Sequence, residues 1–285
     1  MKLVTYRHMN ENRYGAVKGD GIVELTRRMA GRYPDLKSLI AGDVLAEAAA
    51  IVAKAQPDVS LTTVELLPPV PNPDKIICVG VNYDEHRVET GREKSGHPVL
   101  FPRFANSMVG HRRPLVKPKV SERFDYEGEL VAIIGRPGRH ISKEASLGHI
   151  AGWTCFNDGS VRDFQRHTPQ FTPGKNFIGS GGCGPWMVTS DEFGDYRKST
   201  LITRLNGQEV QKAGTDMMTF DVPALIEYIS TFTELVAGDL IVTGTPGGVG
   251  DRRTPPLYMK PGDVCEVEVT GVGTLVNPVV DEAAN

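Results

Sequence analysis

Six segments of this chain are short, rich in β-branched residues and bounded by Gly, Asn or Pro: "ELVAIIG", "HIAGWTCFND", "STLITRLNGQEV", "DLIVTGTPGGVG", "DVCEVEVTGVG" and "GTLVNPVV". Such runs read as strands. The Asn-Gly in "RLNGQEV" is a strong hairpin signal. Only one clear helical pattern stands among them, "DVPALIEYISTF". Asp221 is placed to cap it, Pro223 sits in its first turn, and Leu225, Ile226 and Ile229 form an apolar stripe. Strands without regular βα alternation exclude a doubly wound parallel sheet.

The first third has a different character. "KLVTYRH" and "YGAVKGDGIVELT" read as strands joined by polar turns, and Pro34 to Ala55 has helical composition broken near Gly42. Four prolines then fall within "LLPPVPNPDK" and suggest an extended connector. The expected division is a small N-terminal unit over residues 1–70 and a catalytic domain over 71–285.

Charge narrows the function. Lys plus Arg total 32 against 35 Asp plus Glu, a net charge of −3, so there is no electrostatic footprint for nucleic acid or an anionic membrane. The start turns polar too soon for a signal peptide, and no run of about 18 apolar residues exists to span a bilayer. Cys78, Cys155, Cys183 and Cys265 stand far apart without a CxxC pair, which argues against a cysteine zinc site and for free thiols in a reducing cytoplasm.

The most informative stretch is "FDYEGELVAIIG", Phe124 to Gly135. In a strand, Asp125, Glu127 and Glu129 share one face and repel one another. A hard divalent cation would resolve the repulsion, and oxygen ligands suit Mg²⁺, Mn²⁺ or Ca²⁺. A solvated edge strand paired with lysines fits the same spacing. Asp158 in "CFNDGSVRDFQ" could complete a three-carboxylate set; equally, Asn-Asp-Gly is a turn and Arg162 with Asp163 a surface ion pair. His86 and Glu89 lie three apart in "DEHRVETG", so on a helix a carboxylate would orient an imidazole base, or the two would form a surface contact. The glycines of "VTGTPGGVG" allow close approach to a ligand or simply make a tight turn, and the stretch lacks the ending of a nucleotide-binding P-loop.

Taken in order, "ICVGVNYDEH", "VLFPR", "FDYEGELVAIIG", "AGWTCFNDGSVRDFQ", "PGKNF", "GPWMVT", "LNGQEVQ", "TDMMTFDVPALIEYIS", "GDLIVTGTPGGVG" and "YMKPGDVCEVEVTGVGTLVNPV" resemble the fumarylacetoacetate hydrolase family, specifically its acylpyruvase-like branch. The resemblance covers roughly Lys75 to Val279. It implies an α+β, β-rich fold, a mixed β-roll with a small N-terminal α/β unit. It implies metal ligands at Glu127, Glu129 and Asp158, with Mg²⁺ or Mn²⁺ as cofactor and Asp125 as a neighbour of the ligands. It further implies a catalytic dyad of His86 and Glu89, an active-site Lys175, substrate contacts at Gln165 and Thr245, and a homodimer. Departures are concentrated near Lys175: "GKNFIGSGGCGP" places Ile178 where the family usually has Asp, and glycines where it has an aromatic and a Pro. "NDGSVRD" carries Gly159 and Val161 in place of the usual Val and Ala.

The resemblance implies a metal-dependent hydrolase that cleaves a C–C bond in an acylpyruvate or related 2,4-dioxo acid, in catabolism of aromatic or related acids. Tautomerisation or isomerisation of a hydroxymuconate-type diacid, or decarboxylation of an oxaloacetate-type acid, would use the same metal site. A catalytically silent metal-binding module is the alternative from another class, against which the intact dyad and three carboxylates speak.

Overall fold

The computed structural model describes residues 1–29 and 31–283. The apolar run that follows the acids forms strand Gly128–Ile134, buried along its whole length. Its alternate side chains serve two cores. Leu130, Ala132 and Ile134 pack with Val267 and Val269 and with Leu225, Ile226 and Ile229 of helix Val222–Phe232. Val131 and Ile133 face the other way, toward Cys78, Phe156 and, in the N-terminal region, Leu36, Leu39 and Ile40 of helix Leu36–Ala41. A strand covered on both faces needs no polar side, which is why this run is continuous rather than alternating.

That strand is central to a twelve-stranded mixed sheet. On one side it pairs antiparallel with Ile150–Asn157, which pairs with Gly181–Thr189 and through it with Lys2–His8 of the N-terminal region. On the other side it pairs antiparallel with Leu240–Val242, which runs parallel to Ile76–Gly80; Val99–Arg103 closes that edge. A second, five-stranded sheet is ordered Gln208–Gly214, Thr200–Leu205, Val264–Val269, Gly273–Asp281 and Leu115–Lys117. It packs over the first sheet, with Leu201, Val267 and Leu275 meeting Leu130 and Cys155.

Local signals in the sequence act as expected. Asn206 and Gly207 both have positive φ, 53° and 78°, and join Leu205 to Gln208 in a tight hairpin. Asp221 Oδ1 accepts from the Ala224 N–H at 2.9 Å, capping helix Val222–Phe232. Residues 34–55 form two helices, Leu36–Ala41 and Leu45–Lys54, separated at Gly42. All four cysteines are buried free thiols. Among the described residues no helix is long and apolar enough to cross a membrane.

One expectation is corrected. The three acids do not lie on one uninterrupted strand. Phe124–Asp125 pairs with Ser160–Val161 in a separate two-stranded ribbon, and Tyr126 and Glu127 form a break before Gly128. The break has a physical cause: the Glu127 N–H is taken by the side chain of Asn157 at 3.0 Å and the Gly128 N–H by that of Gln211 at 3.0 Å. Side-chain acceptors thus replace ladder partners as the chain leaves the sheet.

Candidate active site and metal centre

The break brings Glu127 to the lining of a cavity, and Glu129 follows as the second residue of Gly128–Ile134. Asp158 follows at the end of strand Ile150–Asn157, and its N–H donates to the Glu127 carbonyl at 2.8 Å. The three carboxylates are buried, with one oxygen of each lying within 4.8 Å of the others. Like charges this close in a poorly solvated site cannot all remain ionised without compensation.

The chain supplies part of that compensation. Lys175 Nζ lies 2.7 Å from Glu127 and 2.6 Å from Asp158. Arg162 reaches the other Glu127 oxygen at 2.7 Å, and Arg103 reaches the other Asp158 oxygen at 2.5 Å. Burial opposes ionisation of Glu127, but Lys175, Arg162 and His86 outweigh it and bring its pKa down to about 2. Among the described residues Glu129 makes no ion pair and accepts a hydrogen bond only from the Gly244 N–H, at 2.5 Å. Burial, with Asp158 and Glu127 nearby, holds its carboxyl well above the ordinary range. A site of three converging carboxylates, one of them lacking a positive partner, fits a hard divalent cation with oxygen ligands.

Helix Asp84–Glu89 brings the imidazole to the same cavity. His86 is buried, and its Nδ1 is 3.2 Å from Glu89 Oε2. Glu89 is held in turn by the Gly248 N–H, at 3.1 and 3.3 Å to its two oxygens. With Nδ1 committed to Glu89, Nε2 is the free nitrogen. His86, Glu127, Lys175, Gln165 and Thr245 line the cavity. Gln165 accepts from Arg162 Nη1 at 2.9 Å, and Thr245 Oγ1 accepts from Gln211 Nε2 at 2.8 Å. Of the eight residues singled out in the sequence, five therefore line one cavity; Glu129 and Asp158 do not line it but converge on Glu127, and Glu89 is bonded to His86.

Sequence reasoning missed three residues. Arg162 is not a surface partner of Asp163: it is buried, bonded to Asp125 and Glu127, while Asp163 accepts from the Ser121 hydroxyl at 2.7 Å. Arg103 ends a strand and lies in the interior, where Gly181 makes room for it; a Cβ at Gly181 would stand 2.7 Å from a guanidinium nitrogen. Gln211 positions both Gly128 and Thr245. A hint existed for Arg103 alone, a charge at the end of the otherwise apolar "VLFPR". Of the departures near Lys175, Ile178 is 72% exposed and does not line the cavity.

The sequence profile described as "Fumarylacetoacetate (FAA) hydrolase C-terminal" matches residues 75–280. The chain belongs to the fumarylacetoacetate hydrolase family. Within it, the chain is 40% identical over 223 residues to a mitochondrial oxaloacetate tautomerase of Xenopus laevis, covering 78% of this chain and 70% of that protein. Its fold matches the fumarylacetoacetate hydrolase of psychrophilic Exiguobacterium antarcticum with a TM-score of 0.83 at 33% identity, over 99% of this chain and 100% of the other. A maleylpyruvate hydrolase from Sphingobium sp. SYK-6, in complex with manganese(II) and pyruvate, matches with a TM-score of 0.83 at 28% identity, over 99% of this chain and 100% of that one. The α+β, β-rich architecture is thus the family's own.

Proposed function

We propose that this chain is a Mg²⁺- or Mn²⁺-dependent enzyme that moves a proton at the carbon beside the carbonyl of a 2-oxo acid, interconverting keto and enol forms. The observation that carries this reading is buried His86, bonded to half-buried Glu89, lining the same cavity as Glu127, whose carboxylate converges with those of Glu129 and Asp158. The likeness to an oxaloacetate tautomerase supports it. Glu127, Glu129 and Asp158 would hold the cation. When bound, it supplies Lewis-acid polarisation of the 2-oxo carbonyl.

The rest falls to the protein. His86 accepts the proton through Nε2 and returns it, and such a base contributes about 10²–10⁴-fold to rate. Glu89, anchored by Gly248, fixes the tautomer and favours the imidazolium that forms. The Lys175 ammonium offsets negative charge developing on the substrate oxygen. Thr245, oriented by Gln211, offers a hydroxyl to the substrate carboxylate, and Gln165 an amide.

Hydrolytic C–C cleavage of an acylpyruvate is the second reading, supported by the fold likeness to a maleylpyruvate hydrolase. There His86 would deprotonate a water, which adds to the distal carbonyl; the C–C bond breaks, and the enolate of pyruvate takes up a proton. We also propose a homodimer and a small N-terminal unit over residues 1–70 whose strands extend the main sheet, supported by family membership and by a profile match that begins at residue 75.

The deciding experiment follows two signals in Mg²⁺- or Mn²⁺-loaded protein. One is decay of enol absorbance and C3 deuterium exchange with oxaloacetate. The other is ¹⁸O entering the acid released from acetylpyruvate in labelled water. Exchange without label assigns the tautomerase; label assigns the hydrolase. Neither signal, or wild-type rates in His86→Ala, would overturn the proposal.

A further inference from the structure

Asn82 lies between strand Ile76–Gly80 and helix Asp84–Glu89, and it is fully buried. Its side-chain amide meets three backbone groups from distant parts of the chain. Nδ2 donates to the Thr243 carbonyl at 2.8 Å and to the Phe220 carbonyl at 3.0 Å, and Oδ1 accepts the Phe220 N–H at 2.8 Å. The backbone carbonyl of Asn82 accepts a further bond, from the Thr219 N–H at 2.7 Å.

The bond to Thr243 has a second end. The Thr243 carbonyl and the Gly244 N–H belong to one trans peptide unit, so they point in opposite directions. On the far side, the Gly244 N–H donates to Glu129 at 2.5 Å. Asn82 and Glu129 therefore hold the two ends of a single peptide plane, and each hydrogen bond polarises the other. The approach is close: Gly244 has φ +101°, and a Cβ there would lie 2.6 Å from the Asn82 Cβ. The Thr243 N–H donates to the Leu130 carbonyl at 3.0 Å, so this loop is also fastened to the strand that carries Glu129.

The backbone beside Asn82 is strained. Val81 has φ +55°, a left-handed conformation that a β-branched side chain disfavours. Such a conformation persists where its surroundings over-determine it. The four bonds of Asn82 supply that constraint, and they fix where the chain turns from the strand into the helix bearing His86 and Glu89.

We propose that Asn82 is a positioning residue for the metal centre: by donating to Thr243 it aims the Gly244 N–H at Glu129 and so sets the direction of that carboxylate. The inference rests on the reading of Glu129 as a metal ligand. Glu129 makes no ion pair among the described residues, so its orientation depends on this one donor more than the orientations of Glu127 and Asp158 depend on any single group. The same side chain anchors the entry to the dyad helix, which gives the base and the metal ligand one shared support.

The test is calorimetric titration of Mn²⁺ into the metal-free full-length protein. Asn82→Asp keeps the shape of the side chain and an acceptor for the Phe220 N–H, but its carboxylate cannot donate to Thr243. Asn82→Ala removes both. Each should weaken Mn²⁺ binding roughly 10- to 100-fold, the usual effect of removing a partner that orients a metal ligand. Met218→Ala is the control, because it takes apolar packing from the neighbouring segment without touching the Thr243–Gly244 peptide. It should lower the melting temperature yet leave Mn²⁺ affinity within about threefold of wild type. A measurement on wild type needs no substitution: in amide NMR spectra, Mg²⁺ should shift the Asn82 side-chain amide together with the Gly244 N–H. Asn82 signals that stay in place while Gly244 moves would overturn the proposal. So would Mn²⁺ affinity within about threefold of wild type in either Asn82 variant, or an equal loss in Met218→Ala. If wild type binds neither Mg²⁺ nor Mn²⁺, the metal reading of the three carboxylates fails and takes this inference with it.

Discussion

Arg162 and Asp125 form an ion pair in the protein interior, with two guanidinium nitrogens 2.8 and 2.7 Å from one carboxylate oxygen. Asp125 also accepts the backbone N–H groups of Gly250 and Asp251, each at 2.9 Å. The pair therefore ties the acidic ribbon to the loop that follows "TGTPGG", and it turns the same arginine toward Glu127.

Removing one partner of such a pair leaves a buried charge short of compensation, at a cost of roughly 3–5 kcal/mol. Asp125→Ala should lose stability on that scale in urea unfolding, and Asp125→Asn less, because the amide oxygen can still accept. A loss under about 1 kcal/mol for the alanine variant would mean that the pair does not hold the loop.

Glu129 differs from the other two acids because it makes no ion pair among the described residues, and the pull of nearby Lys175 does not offset its burial. Glu129→Gln should leave the metal-free protein as stable as wild type or slightly more so, since a costly buried carboxyl is removed. The same change should abolish most of the stabilisation that Mn²⁺ gives wild type, which follows the ratio of metal concentration to Kd. Thermal melts with and without Mn²⁺ read both effects. An unchanged Mn²⁺ shift in the variant would remove Glu129 from the ligand set.

Gly248 has φ +96° and donates its N–H to Glu89, and a Cβ there would meet the Val210 carbonyl oxygen at 2.4 Å. Gly248→Ala should therefore shift the loop and release Glu89, at a strain cost of about 1–3 kcal/mol. Turnover should fall at least tenfold while Mg²⁺ affinity, measured by calorimetry, stays near wild type. Equal losses in both would show general disruption of the site rather than a role in positioning the dyad.

His111 gives a pH dependence remote from the metal site. Its Nδ1 accepts from the Val276 N–H at 3.1 Å, and burial, with Arg112 adjacent, pushes its pKa down to about 4 from 6.5. Above pH 6.5 the ring is neutral in both the folded and unfolded chains. Between pH 6.5 and 4 the unfolded chain takes up a proton that the folded one refuses, so stability falls as pH falls through this window and levels off below it. With allowance for partial solvent contact, the loss is on the order of 2 kcal/mol. His111→Asn, which keeps an acceptor without titrating, should flatten this part of the curve. Parallel losses in the two proteins between pH 7 and pH 4.5 would exclude His111 as the cause.

The sequence by itself determined the features that depend on near neighbours along the chain. The buried strand announced itself as an unbroken apolar run after Glu129, the hairpin as Asn206-Gly207, and the helix start as Asp221 with Pro223; the spacing of three allowed His86 to meet Glu89 but left open whether that contact was a surface one. Family membership followed from the order of the motifs, because each keeps its residue types and spacing. What answers the acidic run was decided only in three dimensions. Asp125 meets Arg162 from 37 residues away, and Asp158 meets Arg103 from 55. Period-two spacing states which acids could share a face, but it carries nothing about which distant cation reaches them. The break at Tyr126 and Glu127 was hidden for the same reason, since it depends on Asn157 and Gln211 accepting the backbone N–H groups that a neighbouring strand would otherwise take. Buried charges and unpaired backbone groups must find partners somewhere, and the closing of the two sheets over one another determines which partners are within reach.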